Sequence, residues 1–272
     1  MPELPEVETI RRQLSEYLPL KIRSVEYSPV VGSILKEREF SPRNKTLLSI
    51  DRKGKMLIFN LNDDLHFISH LGMSGGWIIS EQKITINHTH FQLSGIGKGS
   101  RTLYLAYVDP RRFGNLYFLK RVNAQKRIDA LGVDVATKEF TKKYLEQLIE
   151  RFPNKILKPF LLDQKYFAGI GNYLASEICA HAGILPFRQL SSLNRADATQ
   201  LIKATKKSLN FALKAQGTTF AGGYRDASGE RGEGVKNLVV FYQDCCRLCN
   251  KNRVVKTQLG GRGTYHCPKC QQ

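Results

Sequence analysis

The sequence lacks long apolar runs, and its beginning lacks the apolar core of a secretory signal. Hydrophobic residues make up 42% of the 272 residues, but they occur in segments of only a few residues, too short to span a bilayer. The opening segment, MPELPEVETIRR, is acidic and proline-rich rather than apolar. We therefore expect a soluble protein that has no membrane segment and works in the cytoplasm. Its length suits one large domain or two ordinary ones.

Acidic residues are scarce relative to basic ones. The chain has 24 Asp and Glu against 42 Lys and Arg, a formal net charge of +18. Such an excess favours a polyanionic partner, either a nucleic acid or an anionic membrane. Membrane binding normally uses a basic amphipathic helix with Trp and Leu on its apolar face, but Trp77 is the only tryptophan and we find no such helix. A nucleic acid is the expected partner, and a basic surface that serves only solubility is the alternative.

The spacing of apolar residues changes along the chain. Short segments rich in β-branched and aromatic residues over about 21–120 predict the antiparallel strands of a sandwich or barrel. Over about 141–216 the apolar residues recur at helical spacing and predict helices. We also expect a linker over about 123–134, a glycine-rich loop over 217–234 and a short strand, NLVVFYQ, after that loop.

The cysteines are concentrated near the end of the chain. Cys246 and Cys249 form one Cys-x-x-Cys pair and Cys267 and Cys270 form another, at the spacing of a four-thiolate zinc site. Four protein ligands close the coordination sphere, so this zinc ion would be structural. Reduced or redox-active thiols are the alternative. Cys245 lies one residue too early for the first pair, and Cys179 lies on the apolar face of a predicted helix, where a buried side chain is expected.

The region that contains these cysteine pairs has no acidic residue. Between Cys246 and Gln272 there are six basic residues, among them Arg262 in the glycine-rich segment QLGGRGT. Glycines in such a hairpin allow the backbone to approach a phosphate closely. We therefore expect a nucleic-acid contact here, with a solvated basic turn as the alternative.

The amino terminus has the residue types needed for amine chemistry. If the initiator methionine is removed, Pro2 carries a secondary amine with a pKa of about 8, nucleophilic at neutral pH. Such an amine could attack C1′ of a deoxyribose or condense with an opened sugar. Glu3 is adjacent, and Glu6 follows one helical turn later. The alternative is an ordinary helix start, with Pro5 in the first turn and acidic residues that complement the helix dipole.

Five motifs together resemble one known family. PELPEVETIRR, HLGMSG at 70–75, DPRRFG at 109–114, GIGNYLASE at 169–177 and the GGRGT and CPKCQ segments resemble the formamidopyrimidine-DNA glycosylases, bacterial base-excision enzymes for 8-oxoguanine and ring-opened purines. The resemblance implies an α+β fold, with an N-terminal antiparallel β-sandwich and then a helix–two-turn–helix domain with a C-terminal zinc ribbon. The corresponding segments are 1–130 (catalytic domain with an N-terminal helix), 131–225 (helix–two-turn–helix) and 226–272 (end of the lesion-capping loop and zinc finger). The resemblance also implies a monomer that holds one structural zinc ion and works at the bacterial nucleoid. It would bind damaged double-stranded DNA in a basic cleft.

The resemblance also implies residue roles. Pro2 is the expected nucleophile and Schiff-base former, and Glu3 handles protons at the sugar, with a raised pKa. Lys55 contacts the phosphate beside the lesion, and Glu6 ties the terminal helix to the second domain. The expected catalytic set is Pro2, Glu3, Lys55 and Arg262, and the expected phosphate contacts are His70, His88, Arg112, Lys158, Asn172, Tyr242 and again Arg262. Met73, Arg111 and Phe113 would fill the space left by the everted nucleotide.

The sequence departs from the family pattern in two places. Gly232-Glu233-Gly234 stands where the lesion-capping loop usually ends in an aromatic residue, and Tyr242-Gln243-Asp244 stands where Tyr-Gly-Arg is usual. The first departure leaves open an endonuclease VIII-like glycosylase for oxidised pyrimidines. A zinc-containing DNA-binding protein without catalysis is the second alternative. The prediction is a bifunctional glycosylase and AP lyase that removes oxidised purines through a Pro2 Schiff base and β,δ-elimination.

Overall fold

The computed structural model describes residues 2–221 and 223–272. Their contacts divide the chain into two compact units. The first unit extends to Ala130 and includes Ala215–Glu233, and the second comprises Leu131–Lys214 and Gly234–Gln272. Contacts therefore group residues 215–225 with the first unit, whereas the sequence-based division placed them with the helical segment. No described helix combines the length and apolar character needed to cross a membrane.

The first unit is built on a nine-stranded sheet preceded by a helix, α1 (Leu4–Ser15). Its strands are β1 (Leu20–Tyr27), β2 (Leu35–Arg38), β3 (Thr46–Lys53), β4 (Met56–Leu61), β5 (Leu65–His70), β6 (Gly76–Ser80), β7 (Thr89–Ile96), β8 (Thr102–Val108) and β9 (Asn115–Lys120). The strand order is β2-β9-β5-β4-β3-β1-β7-β8-β6, and every pair is antiparallel except β2 with β9.

Aromatic contacts across the core show that this sheet curls over itself. Trp77 in β6 lies 4.9 Å, between ring centroids, from Phe59 in β4, although four strands separate β6 from β4 in the sheet. Phe91 in β7 likewise lies 5.3 Å from Phe118 in β9. Such contacts need the two ends of the sheet to face each other, as in a sandwich. Helix α1 contributes Val7, Ile10 and Leu14 to the same core.

A short helix, α2 (Arg121–Asp129), follows the last strand. It lies where the sequence predicted a linker, so that prediction was wrong over these residues. Only Ala124 of this helix is buried, and without an apolar stripe the segment has no helical periodicity to recognise.

The second unit contains the predicted helices and the cysteine module. Its elements are β10 (Val133–Asp134), α3 (Lys142–Arg151), α4 (Leu157–Leu161), β11 (Phe167–Ala168), α5 (Asn172–Ala182), α6 (Arg195–Lys214), β12 (Val255–Leu259) and β13 (Arg262–His266). The Thr141 hydroxyl accepts a hydrogen bond from the Tyr144 N–H at the start of α3, and Gly183 ends α5 with φ 73°. The α+β class predicted from the sequence is confirmed.

Candidate functional site

The amino-terminal residues are held by hydrogen bonds to the backbone. Pro2 and Glu3 are buried, and Glu3 is the N-cap residue of α1. The Glu3 N–H donates to Glu6 Oε2 at 2.7 Å, and the Thr218 N–H donates to Glu6 Oε1 at 2.7 Å. Because each oxygen of Glu6 accepts a buried backbone N–H, this carboxylate ties the start of α1 to the segment 215–233 of the same unit. Glu6 was predicted to tie α1 to the second domain; the tie ends at Thr218, which the sequence-based division assigned to that domain and which the contacts group with the first unit.

The segment 215–233 packs closely on α1. The amide of Gln13 donates to Asp226 Oδ2 at 2.7 Å and accepts from the Ala227 N–H at 2.9 Å. Gly217 has φ +87°, and a Cβ there would lie 2.7 Å from the Tyr224 ring and 3.1 Å from Glu6 Cγ. Only glycine fits that space and that backbone conformation. Sequence reasoning missed Gln13, because its two partners lie more than 200 positions away.

Glu8 is the centre of a charged cluster on α1. Its carboxylate accepts from Arg11 Nε and Nη2, both at 2.9 Å, from Arg12 Nε at 2.7 Å and from Arg52 Nε at 3.0 Å. Burial by itself raises the pKa of Glu8, but the hydrogen bonds from Arg11 and Arg12 and the charges of the arginines outweigh it and lower the pKa to about 2. Glu8 is therefore ionised at neutral pH and joins α1 to β3.

Lys55 lies in the tight turn that connects β3 and β4. Lys53 pairs with Met56, so the turn consists of Gly54 and Lys55, and Gly54 has φ 57° as the first position of a type II′ turn requires. Arg52 Nη1 donates to the Gly54 carbonyl at 2.9 Å, which connects this turn to the Glu8 cluster. The Lys55 side chain is buried.

His70 ends β5 in the same patch as Lys55. Its Nδ1 accepts from the Gly72 N–H at 3.2 Å, which leaves Nε2 to carry the proton of the neutral ring. Burial, and then the nearby charge of Lys55, lower the pKa of His70. The structure therefore brings together these two predicted phosphate contacts.

The three residues predicted to fill the space of an everted nucleotide lie on two neighbouring loops. Met73 lies on the loop between β5 and β6, and Arg111 and Phe113 lie on the loop between β8 and β9. Met73 is 41% exposed and Phe113 is 51% exposed. The Arg111 guanidinium lies 4.6 Å from the Phe113 ring centroid. We call Met73, Arg111 and Phe113 the wedge.

Asp109, at the base of these loops, was missed by sequence reasoning. It lies inside the DPRRFG motif but is completely buried. Its Oδ1 accepts from Ser74 Oγ at 2.6 Å, and its Oδ2 accepts from the Gly114 N–H at 2.8 Å. Only the burial of its side chain identifies Asp109, and the sequence motif does not show which of its residues are buried.

The remaining predicted phosphate contacts of the first unit lie beside the wedge. Arg112 is exposed, with φ 56°. His88 is also exposed, with φ 68°, and its carbonyl accepts from the Asp109 N–H at 3.0 Å. A cavity of about 510 Å³ adjoins Arg111. It is lined by the segments 74–78 and 86–87, by Val108, Pro110 and Arg111, and by Gly223, Arg225, Asp226 and Gly229.

Lys158, in the second unit, is buried rather than exposed. Its side chain is only 1% exposed, and its ammonium donates to Asn172 Oδ1 at 2.7 Å, to Thr264 Oγ1 at 2.9 Å and to the Gly263 carbonyl at 3.1 Å. Asn172 Nδ2 also donates to the Gly263 carbonyl, at 3.0 Å. Lys158 thus joins α4 to the start of α5 and to the hairpin of β12 and β13.

Arg262 follows the tip of that hairpin. Leu259 pairs with Arg262, and the two residues between them, Gly260 and Gly261, have φ 56° and 71°. Positive φ at both central positions is typical of a type I′ turn. Arg262 is exposed next to Gly263, where the bonds from Lys158 and Asn172 end.

A buried carboxylate also positions Tyr242. Glu177 in α5 accepts the N–H groups of residues 239–241 at 2.7, 2.9 and 2.9 Å. Burial raises the pKa of Glu177, although these three donors oppose the shift. Tyr242 follows directly, is 63% exposed and packs against Phe241 and Tyr265. The predicted strand NLVVFYQ is therefore wrong, because Glu177 takes the N–H groups that a neighbouring strand would need.

The four predicted cysteine ligands form one cluster. Their Sγ atoms all lie within 4.8 Å of one another, and those of Cys246 and Cys270 are 3.9 Å apart. A tetrahedral zinc ion with bonds of about 2.3 Å needs sulfur–sulfur distances of about 3.8 Å. Hydrogen bonds from Asn252 and two backbone N–H groups lower the pKa of Cys249 to about 6. The cluster therefore fits a metal ion, whereas Cys179 is buried and Cys245 exposed elsewhere.

Known proteins resemble this chain in sequence over both of its units. The family model for the formamidopyrimidine-DNA glycosylase N-terminal domain matches residues 1–116, and that for the formamidopyrimidine-DNA glycosylase H2TH domain matches residues 131–222. A formamidopyrimidine-DNA glycosylase of Syntrophomonas wolfei is 37% identical over 100% of both chains.

Solved structures share the whole architecture. The MutM (Fpg) protein of Thermus thermophilus is 32% identical, with a TM-score of 0.84 over 99% of this chain and 98% of that one. Lactococcus lactis Fpg (MutM), solved with DNA that contains N7-benzyl-Fapy-dG, is 29% identical, with a TM-score of 0.85 over 100% of both chains.

Proposed function

Since the chain belongs to the formamidopyrimidine-DNA glycosylase family, we propose that it removes 8-oxoguanine and formamidopyrimidines from damaged double-stranded DNA and then cleaves the abasic site. The observation that carries this proposal is the Pro2-Glu3 pair, buried at the start of α1 and held there by Glu6. A secondary amine next to a carboxyl group is the pair of functions that this chemistry needs.

Pro2 acts as the nucleophile once the initiator methionine is removed. Its nitrogen forms a bond to C1′ of the deoxyribose, the bond from C1′ to the base breaks, and the base leaves with a proton. The sugar ring then opens to an iminium ion on Pro2. Glu3 supplies the proton for ring opening and accepts protons during the later β- and δ-eliminations.

The wedge keeps the duplex stacked while the damaged base is outside it. Extrusion of a base from the stack costs a few kcal/mol. Met73 and Phe113 replace part of the lost stacking, and Arg111 donates hydrogen bonds to the unpaired cytosine. The cavity beside Arg111 has the size range of small-molecule sites and would receive the everted base.

Basic and polar side chains of both units hold the flanking phosphates. Lys55 and Arg262 act closest to the reacting sugar, and His70, His88, Arg112, Asn172 and Tyr242 fix the register of the duplex. The ammonium of Lys158 is buried, so Lys158 supports phosphate binding indirectly. It positions Asn172 and the β12–β13 hairpin. The proposed segments are 1–130 for catalysis, 131–225 for the helix–two-turn–helix and 226–272 for the capping-loop end and zinc finger.

One zinc ion is the proposed metal, held by Cys246, Cys249, Cys267 and Cys270. Bound there, it would link the two ends of the terminal module and so support the hairpin that bears Arg262. We propose a monomer that works on the bacterial nucleoid, as the DNA substrate and the bacterial relatives suggest.

Covalent trapping tests the nucleophile. Borohydride reduction on a duplex with 8-oxoguanine is expected to link wild-type protein to DNA. Pro2→Gly replaces the secondary amine by a primary one and is expected to reduce the yield of this product strongly. Pro5→Ala, which changes the next proline of the same segment, is the control and retains trapping. A Pro2→Gly variant that traps as well as wild type would refute the assignment, as would active enzyme that still contains its initiator methionine.

A second variant tests the proton donor. Glu3→Gln is expected to bind damaged DNA with wild-type affinity and to release base at least a hundredfold more slowly, because general acid–base catalysis contributes about 100- to 10,000-fold. Near-normal base release would remove Glu3 from the chemistry.

Lesion choice is tested by competition. Duplexes that contain 8-oxoguanine are expected to be processed in preference to duplexes that contain thymine glycol. The reverse preference would favour the endonuclease VIII-like alternative, and binding without any strand cleavage would favour a DNA-binding protein without catalysis.

A further inference from the structure

We propose that Asp109 is a positioning residue that, together with Tyr107, locks the two loops of the wedge into one rigid body before DNA binds. This inference rests on the proposed function, in which Met73, Arg111 and Phe113 enter the duplex. It concerns a residue that itself lies too deep to touch DNA, since Asp109 has no exposed surface.

The Asp109 carboxylate connects both loops of the wedge. Its Oδ1 accepts from Ser74 Oγ at 2.6 Å, and Ser74 follows Met73 directly. The same oxygen accepts from the Arg111 N–H at 3.3 Å, and Oδ2 accepts from the Gly114 N–H at 2.8 Å. One buried carboxyl group therefore holds the backbone on both sides of Phe113 and the residue next to Met73. A loop held in this way has few alternative conformations.

Tyr107, on β8, contacts the same carboxyl group from inside the sheet. We call Asp109 and Tyr107 together the lock. The Tyr107 hydroxyl lies 3.5 Å from Asp109 Oδ2, and its ring packs 5.2 Å from Trp77. A Cβ on Gly75 or on Gly114 would collide with this hydroxyl, and a Cβ on Gly72 would collide with the backbone at 113–114. The glycines thus allow the two loops to contact each other and Tyr107 without any side chain between them. Burial and the charge of Asp109 raise the pKa of Tyr107, so the hydroxyl keeps its proton as a donor.

His90, on β7, supports the lock from the other side. It is buried, its Nε2 lies 3.1 Å from the Asp109 carbonyl oxygen, and its Nδ1 lies 3.0 Å from Ser28 Oγ. The main chain and the side chain of Asp109 are therefore both held, while the wedge side chains that start from this base remain exposed. Rigid backbone beneath exposed side chains is the arrangement that reduces the conformational entropy lost on insertion.

This lock has a consequence for individual reaction steps. Base excision requires eversion of a stacked nucleotide and therefore a well-placed wedge. Elimination at a preformed abasic site has no base to unstack and depends much less on the wedge. Loosening the lock should slow excision and leave the lyase step nearly unchanged, whereas a general loss of structure would slow both.

The test compares single-turnover excision of 8-oxoguanine with lyase cleavage of a preformed abasic duplex. Asp109→Asn and Tyr107→Phe are expected to slow excision at least tenfold and to change the lyase rate less than twofold. Tyr107→Phe removes a single oxygen and keeps the ring in the core, so it remains informative if Asp109→Asn folds poorly. The controls are Asp51→Asn on β3 and Tyr104→Phe on the same strand as Tyr107, both expected to match wild type.

Phe113→Ala separates failure of this inference from failure of the proposed function. If Phe113→Ala slows excision while Asp109→Asn and Tyr107→Phe do not, the lock is refuted and the wedge stands. Equal slowing of excision and lyase cleavage in the two lock variants also refutes the positioning role. If Phe113→Ala excises at the wild-type rate, the proposed wedge itself is refuted, and the lock with it.

Discussion

Replacement of Lys158 by methionine tests the role of a buried ammonium. Methionine has a similar length but cannot donate, so Asn172 Oδ1, Thr264 Oγ1 and the Gly263 carbonyl all lose a charged donor. Each such hydrogen bond contributes about 1.5–3 kcal/mol. Gly263 keeps its bond from Asn172, and the variant no longer buries a charge. We expect a net loss of about 3 kcal/mol in the free energy of unfolding of the second unit, or roughly 10 °C in its melting temperature.

The same change is expected to weaken DNA binding through Arg262. Arg262 follows the hairpin tip, and the bonds from Lys158 and Asn172 hold the residues directly after it. We expect Lys158→Met to weaken binding of a lesion duplex about tenfold, equivalent to about 1.4 kcal/mol. In an Arg262→Gln background the same replacement should cost little more, because residues that act through one another are not additive. The exposed Lys206 on α6 provides the control, Lys206→Met, expected to match wild type in both measurements.

Thermal unfolding and the salt dependence of binding decide between two roles for Lys158. A lysine that contacts phosphate directly contributes about 0.9 to the slope of log Kd against log salt concentration. If Lys158→Met lowers that slope by about 0.9 in both backgrounds and leaves the melting temperature unchanged, Lys158 contacts DNA and the positioning argument is refuted.

Two further predictions concern the other clusters. The pKa of Glu8 is lowered to about 2 in the folded chain, so its stabilisation is present above about pH 4.5 and is lost as the pH falls towards 2. After solvent screening, Glu8→Gln should cost about 1–2 kcal/mol at pH 7 and flatten the acid limb of a stability profile measured by denaturant unfolding; an unchanged acid limb would contradict this. Chelation of zinc should abolish DNA binding and leave most of the circular dichroism signal, because the cysteine module is a small part of the chain. Full affinity in a metal-free preparation would exclude the module as a DNA contact.

Much of the candidate site could be predicted because its residues belong to short, contiguous sequence motifs. Two Cys-x-x-Cys pairs were enough to predict the cysteine cluster, and their four Sγ atoms lie within 4.8 Å of one another. The helices α3, α5 and α6 lie within the range of about 141–216 over which the spacing of apolar residues predicted helices. The family motifs located the wedge residues: all three are exposed, and the Arg111 guanidinium lies over the Phe113 ring.

Other features depend on partners that are distant in sequence. The segment 237–243 has the composition of a strand, but Glu177, about 60 positions earlier, accepts its N–H groups. The family resemblance implied that Lys158 contacts a phosphate, yet its side chain is buried, with acceptors on the β12–β13 hairpin and on α5. Asp109 belongs to the DPRRFG motif, and only its burial between two loops distinguishes it from the exposed arginines that follow.

The sequence alone determined the family, through five short motifs, and with it the α+β class that the resemblance implies. It also identified the four cysteines that cluster, since their spacing is a local feature of the chain. Only the tertiary structure decided which charged groups face solvent and which hold the backbone together. The physical reason is that a buried charge is tolerated where donors or acceptors from separate parts of the chain meet it. Glu6, Asp109, Lys158 and Glu177 are all buried. Each has a hydrogen-bond partner from another segment of the chain, which no local pattern records.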